Sequence, residues 1–86
     1  MPEQNIGVIW SPEAQTELRA IDRATALQIL YCLTRYLKSR VGDVKKLKPP
    51  RTDYRLRCGD YRLLFDHRGE NAIEITGVKN RSEAYR

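Results

Sequence analysis

Histidine, tryptophan and phenylalanine each occur once in this 86-residue chain, and cysteine occurs twice. One histidine, His67, and two cysteines, Cys32 and Cys58, form no Cys/His cluster with zinc spacing. There is also no glycine-rich phosphate loop and no Ser-His-Asp arrangement, so neither a metal nor an organic cofactor is expected. No apolar run approaches the roughly 20 residues that a membrane-spanning helix needs. The opening Met1-Pro2-Glu3-Gln4-Asn5 lacks the basic start and apolar stretch of a signal peptide, which predicts a cytoplasmic protein with no membrane partner. Both cysteines fall at positions that read as apolar-facing. With nothing else suggesting secretion, free buried thiols are expected in place of a disulfide. Internal repeats, low-complexity tracts and interdomain linkers are missing too, so residues 1–86 read as one domain.

What the chain has in quantity is positive charge. Sixteen Lys and Arg against eleven Asp and Glu leave a net charge of +5 and a pI near 9.5. That balance favours an acidic partner such as nucleic acid, an anionic surface or an acidic protein. A hydrophobic content of 41% argues for a folded domain over a disordered basic tail.

The order of elements can be read along the chain. Ile6, Val8 and Trp10 alternate with Gly7 and Ile9 and suggest a short first strand, with Trp10 in the core. Ser11-Pro12-Glu13 reads as a helix start, Ser11 capping and Pro12 at the first helical position, where its missing N–H costs nothing. Ala14, Leu18 and Ile21 recur at helical spacing and predict about three turns. Asp22 can cap a second helix running to about Lys38 or Ser39. Its buried stripe is Ala26, Ile29 or Leu30, Leu33 and Leu37, with Tyr31 and Tyr36 as helix-packing residues. Gly42 breaks the pattern. Lys45-Lys46-Leu47-Lys48-Pro49-Pro50-Arg51 then reads as a basic connection stiffened by two prolines. A hairpin and a last strand, Ala72 to Val78, complete the chain. Keeping Ile73 and Ile75 on the core side with Leu63 and Phe65 requires an odd loop of three or five residues. The resulting architecture is α+β, in the order β-α-α-β-β-β, with a helical hairpin on one face of a small antiparallel sheet.

The hairpin carries the functional signal. Tyr54-Arg55-Leu56-Arg57-Cys58 and Tyr61-Arg62-Leu63-Leu64-Phe65 alternate strictly around the turn residues Gly59-Asp60. A two-residue turn sets Cys58 opposite Tyr61, Arg57 opposite Arg62, Leu56 opposite Leu63, Arg55 opposite Leu64 and Tyr54 opposite Phe65. With a side-chain period of 2, Tyr54, Leu56, Cys58, Tyr61, Leu63 and Phe65 share an apolar face, and Arg55, Arg57 and Arg62 share the other. Helices covering the apolar face leave the basic side free to bind. Directly opposed like charges cost about 0.2–1 kcal/mol. A sequence that keeps them there expects an anion across them, and phosphate is the obvious one. The simpler reading is a solvated face paired with Asp66 or Glu74. His67, beside a turn, reads as a surface residue.

With the opening strand and Trp10-Ser11-Pro12-Glu13-Ala14, the two helices, Lys45-Lys46-Leu47, the Tyr54–Leu63 hairpin and the closing Lys79-Asn80-Arg81-Ser82-Glu83-Ala84-Tyr85, the chain resembles the RelE/ParE superfamily. These are small bacterial toxins of toxin–antitoxin pairs, and the resemblance spans nearly the whole length. RelE-type members are implied to cleave messenger RNA in the ribosomal A site, ParE-type members to poison DNA gyrase. The RelE-type pattern maps onto Arg55 and Arg57 before the turn, Arg62 after it, Arg81 or Lys79 near the end, and Tyr85. The resemblance therefore implies a ribosome-dependent endoribonuclease in which Arg55, Arg57, Arg62 and Arg81 hold the scissile phosphate. Tyr85 would stack or move a proton, and Lys79 would be a reserve proton-transfer group. Lys45, Lys46, Lys48 and Arg51 would add salt-sensitive RNA affinity. The partners implied are a cognate antitoxin, the ribosome and messenger RNA, with DNA met only through the antitoxin. A gyrase inhibitor, or an inactive antitoxin-binding module on the same fold, is the alternative.

The chemistry agrees with that assignment. Attack by a 2′-hydroxyl on its own phosphodiester needs a group to take the proton, donors for a phosphorane of extra negative charge, and a proton for the leaving 5′-oxygen. The planar guanidinium fork suits the second role. Tyrosine, with an ordinary pKa of about 10, needs surrounding positive charge to act near neutrality.

Overall fold

The computed structural model describes residues 7–82, which form seven elements: β1 (Gly7–Trp10), α1 (Pro12–Arg19), α2 (Arg23–Ser39), β2 (Asp43–Lys46), β3 (Tyr54–Cys58), β4 (Tyr61–His67) and β5 (Ala72–Asn80). The five strands make one sheet in the order β1-β5-β4-β3-β2. Only β1 and β5 pair in parallel; the other neighbours are antiparallel. Ile6, counted above in the first strand, lies outside the described residues.

Both helices start where their capping residues dictate. The Ser11 hydroxyl accepts from the Ala14 N–H at 3.1 Å, and Pro12 occupies the first turn. The Asp22 carboxylate accepts from the Thr25 N–H at 3.1 Å, and its hydrogen bonds to Thr25 hold its pKa below the ordinary 3.8. Helix α1 is shorter than its apolar spacing suggests: it stops at Arg19, and Ile21 packs against the core from the connection. Helix α2 ends with Arg40 in the left-handed region, φ 60°, so this position, not Gly42, closes the helix. Gly42 instead allows close packing, since a Cβ there would lie 3.0 Å from Leu56 Cδ1.

The core lies between the helices and one face of the sheet. Ala14, Ile29 and Leu33 meet Leu56, Leu63, Phe65, Ile73, Ile75 and Val78, with Val8, Trp10, Leu18, Tyr36 and Leu37 packed around them. The hairpin register is the one that the two-residue turn requires, pair for pair. The odd loop is also present, with His67 opposite Ile73 and Phe65 opposite Ile75.

Three further details differ from the sequence expectation. Asp43–Lys46 is a strand, not part of a loop. Its Val44 faces Leu56 on the core side, and a single apolar residue among charges was too weak a pattern to announce it. Cys32 and Cys58 are joined as a disulfide with Cα atoms 5.9 Å apart, inside the usual range of about 4.4–6.8 Å. Helix α2 packs on β3, so two core-facing cysteines 26 residues apart meet. The expectation of free thiols rested on compartment and could not see that packing. Finally, Tyr31 is 71% exposed on the outer side of α2, whereas Tyr36 packs near Phe65, ring centres 6.2 Å apart.

Leu63 is fully buried at the centre of this core. We expect Leu63→Ala to lose about 2–5 kcal/mol in urea denaturation; a loss under 1 kcal/mol would mean that the core is not closed there.

Candidate anion-binding site

Strand β5 changes phase halfway along. Leu64 pairs with Gly77 and Phe65 with Ile75, which leaves Thr76 as an extra residue in a β-bulge. The Thr76 hydroxyl donates to the Leu64 carbonyl at 3.3 Å. Before the bulge the odd-numbered Ile73 and Ile75 face the core; after it the even-numbered Val78 does. Lys79 is thereby turned onto the arginine face. Unbroken alternation from Ile73 would have pointed it at the helices.

The bulge completes a row of charges across four strands. Asp43 on β2 pairs with Arg57 on β3, Arg57 with Arg62 on β4, and Arg62 with Lys79 on β5. The adjacent row on the same face runs Lys45, Arg55, Leu64, Gly77. The face is not an open solvated surface. Arg55 and Arg62 are only 8% and 4% exposed, and Leu64 is buried with them, while Arg57 projects into solvent.

Arg62 is held by the hairpin turn. Its Nη1 donates to the carbonyls of Gly59 at 2.9 Å and Tyr61 at 3.0 Å. Its Nε, also buried, has no hydrogen-bond partner among the described residues. A buried guanidinium that retains an unsatisfied donor is costly in isolation, and a nearby anion would offset the cost of its charge.

Carboxylates close both ends of the row. Asp43 lies 4.0 Å from Arg57, and both side chains are more than half exposed, so this pair contributes little. At the other end Glu17 of α1 pairs with Lys79. Its second carboxylate oxygen accepts the Val78 N–H at 2.9 Å. Strand β1 pairs with β5 only as far as Ile75, so α1 takes over the edge beyond it, and Glu17 satisfies an amide that would otherwise lack a strand partner. Sequence reading did not single out Glu17 or Asp43. The signal for Glu17 was its place in the buried stripe of α1, three residues after Ala14 and four before Ile21.

The remaining candidates divide by position. Lys45 shares the arginine face with Arg55, whereas Lys46 points to the other side, its Nζ 6.0 Å from the Tyr54 ring centre. Lys48 and Arg51 lie beyond β2 in the connection, and Arg51 is engaged by Asp53 through Nε at 3.1 Å and Nη2 at 2.6 Å. The Arg81 N–H donates to the Asp60 carbonyl at 2.8 Å, which brings Arg81 beside the hairpin turn. Tyr85 lies outside the described residues. His67 is exposed at the far end of β4, edge-on to Tyr54 with ring centres 5.1 Å apart. Glu74 is taken by Arg68, not by the hairpin arginines, and this pairing holds the Arg68 pKa above its ordinary value.

A family model described as "ParE toxin of type II toxin-antitoxin system, parDE" matches residues 8–85. Among solved structures, the chain is similar to the archaeal RelE–RelB complex from Pyrococcus horikoshii OT3, at 24% identity over 93% of this chain and 99% of that one, with a TM-score of 0.73. It is also similar to the YoeB dimer from Staphylococcus aureus, at 23% identity over 87% and 95%, TM-score 0.70. The RelB–RelE antitoxin–toxin complex from Methanococcus jannaschii follows at 21% identity over 90% and 94%, TM-score 0.70. At these identities the likeness is one of fold. No curated protein matches the sequence.

The two neighbouring lysines of β2 separate the face from the bulk charge of the chain. In binding assays with a 2′-O-methyl RNA oligonucleotide, Lys45→Ala should weaken affinity and flatten the salt dependence by roughly 0.7 in log–log slope, the value of one phosphate contact on a single strand. Lys46→Ala should leave the slope unchanged. Equal slopes for the two variants would remove the arginine face from consideration.

Proposed function

The chain belongs to the ParE toxin family of type II toxin–antitoxin systems, and from the charges on its sheet we propose that this toxin is an endoribonuclease that cleaves messenger RNA on the ribosome. The observation that carries the reading is the cross-strand row of Arg57, Arg62 and Lys79, with the charge of the buried Arg62 held directly beneath the exposed Arg57 end. Cations set this close on neighbouring strands suit a phosphodiester that gains negative charge as it reacts.

In the proposed reaction the 2′-hydroxyl attacks the adjacent phosphorus, the bond to the 5′-oxygen breaks, and a cyclic phosphate and a 5′-hydroxyl end result. Arg57 meets the phosphate from the exposed side of the row. Arg62, fixed by the turn carbonyls, supplies charge from beneath, and Arg55 and Arg81 flank them. Tyr85 receives or donates a proton or stacks on a base, and Lys79 is the reserve proton-transfer group. A tyrosine near this row would find its phenolate form favoured by the surrounding cations. The same reading gives the toxin a cognate antitoxin that covers the basic face, in keeping with the Pyrococcus and Methanococcus relatives, whose structures are complexes with RelB.

A second reading is supported by the family model itself, which is that of ParE: a gyrase inhibitor acting by binding, with no chemistry. Primer extension on a defined message in a reconstituted translation system distinguishes the two. The nuclease reading expects new 5′ ends at A-site codons, dependent on ribosomes. Arg62→Ala should lower cleavage by about 10²-fold or more, and Tyr85→Phe by a similar factor if Tyr85 transfers the proton. An intact message together with loss of supercoiling by purified gyrase would establish the second reading.

A further inference from the structure

The cation row ends on a carboxylate that belongs to the protein. Glu17 reaches it from α1 and is tied down on one side, since Oε1 takes the Val78 backbone N–H at 2.9 Å while Oε2 faces Lys79 Nζ. The backbone amide fixes the carboxylate to the sheet. Lys79 is the mobile partner, with a flexible four-carbon stem. The pair is partly desolvated, the two side chains being 35% and 28% exposed, so it is screened less than a surface pair.

The strand makes room for this contact. Gly77 lies on the same face, and a Cβ there would sit 3.3 Å from Leu64 Cδ1, 3.4 Å from Lys79 Cε and 3.6 Å from Glu17 Oε1. A glycine inside a strand marks a place where another group approaches closely. Here that group is the Glu17–Lys79 pair, folded over the position that lacks a side chain. The row is thus asymmetric. Its Arg57 end, where Asp43 stands 4.0 Å away in solvent, is open; its Lys79 end is closed by a carboxylate in the place of a substrate oxygen.

We propose that Glu17 is a built-in competitor for phosphate, an internal anion that occupies Lys79 and limits how many phosphate contacts the row can make. This rests on the phosphate-binding reading of the arginine face and specifies what regulates it. An RNA backbone engages the exposed Arg57 directly, over the charge of the buried Arg62, but gains Lys79 only by displacing Glu17. The carboxylate thereby trades affinity against release, and any partner or mutation that draws α1 from the edge of β5 would strengthen RNA binding.

The test is binding of an uncleavable 2′-O-methyl RNA oligonucleotide, measured by fluorescence anisotropy across a range of salt concentrations. Glu17→Gln keeps an oxygen for the Val78 N–H and removes the charge. It should bind at least about fivefold tighter at 0.1 M salt, with a log–log salt slope steeper by roughly 0.7, one further phosphate contact. Lys79→Ala in the Glu17→Gln background should cancel the gain. Glu17→Asp, which keeps the charge but draws it back by one methylene, should gain in the same direction by less and guards against a folding defect in the glutamine variant. A merely structural Glu17 would lower the melting temperature and leave the slope alone. Equal affinity and slope in wild type and both variants would overturn the proposal while leaving the phosphate site standing, as would a gain that survives Lys79→Ala. Failure of every protein to bind the oligonucleotide would overturn both.

Discussion

One extra residue in β5 determines which side chains of this protein meet. The bulge at Thr76 lets Ile73, Ile75 and Val78 all enter the core, although no single alternating strand could place them there together. The same phase change sends Gly77 and Lys79 to the opposite face, completes the row with Arg57 and Arg62, and leaves a space over Gly77 for a carboxylate. Core and site are therefore set by one irregularity. Its open backbone is closed from two directions, by the Thr76 hydroxyl on the Leu64 carbonyl and by α1 along the edge that β1 abandons.

That arrangement gives the arginine face its character. A solvated stripe of cations would bind any polyanion weakly and lose it in salt. In this protein two of the three hairpin arginines are buried, one of them pinned by the carbonyls of its own turn, and carboxylates stand at both ends of the row. Burial fixes the positions of the charges, and fixed charges favour a defined phosphate over a diffuse counterion cloud. The helices contribute from the other side of the sheet: the disulfide between α2 and β3 ties the strand that carries Arg55 and Arg57 to the helical layer.

Much of this was legible in the sequence because it depends on short-range rules. Alternation and a two-residue turn specify the hairpin register, and Ser11-Pro12 and Asp22 specify the helix starts; the structure follows them residue for residue at these points. The features that escaped depend on tertiary contact. Strand β2 exists because β3 offers it an edge, not because Asp-Val-Lys-Lys favours extension. The disulfide needs the packing of α2 on β3. The bulge has no local signature beyond a glycine after a threonine, and with it went any sequence argument for where Lys79 points. Glu17 could have been noticed, as a carboxylate within an otherwise apolar helical stripe, but its partner could not. The roles given to Arg81 and Tyr85 come from family resemblance, and Tyr85 lies outside the described residues.

The row through Arg62 is the proposed seat of the RNA phosphate. The most direct measurement follows the side-chain Nε–H resonance of Arg62 by 1H–15N NMR during titration with a 2′-O-methyl RNA oligonucleotide, with Arg51 as the internal comparison. Phosphate binding on the row should give a saturable shift at Arg62 and Arg57, with Arg51 little changed because Asp53 already holds it. A titration that moves Arg51 and leaves Arg62 unmoved would contradict it.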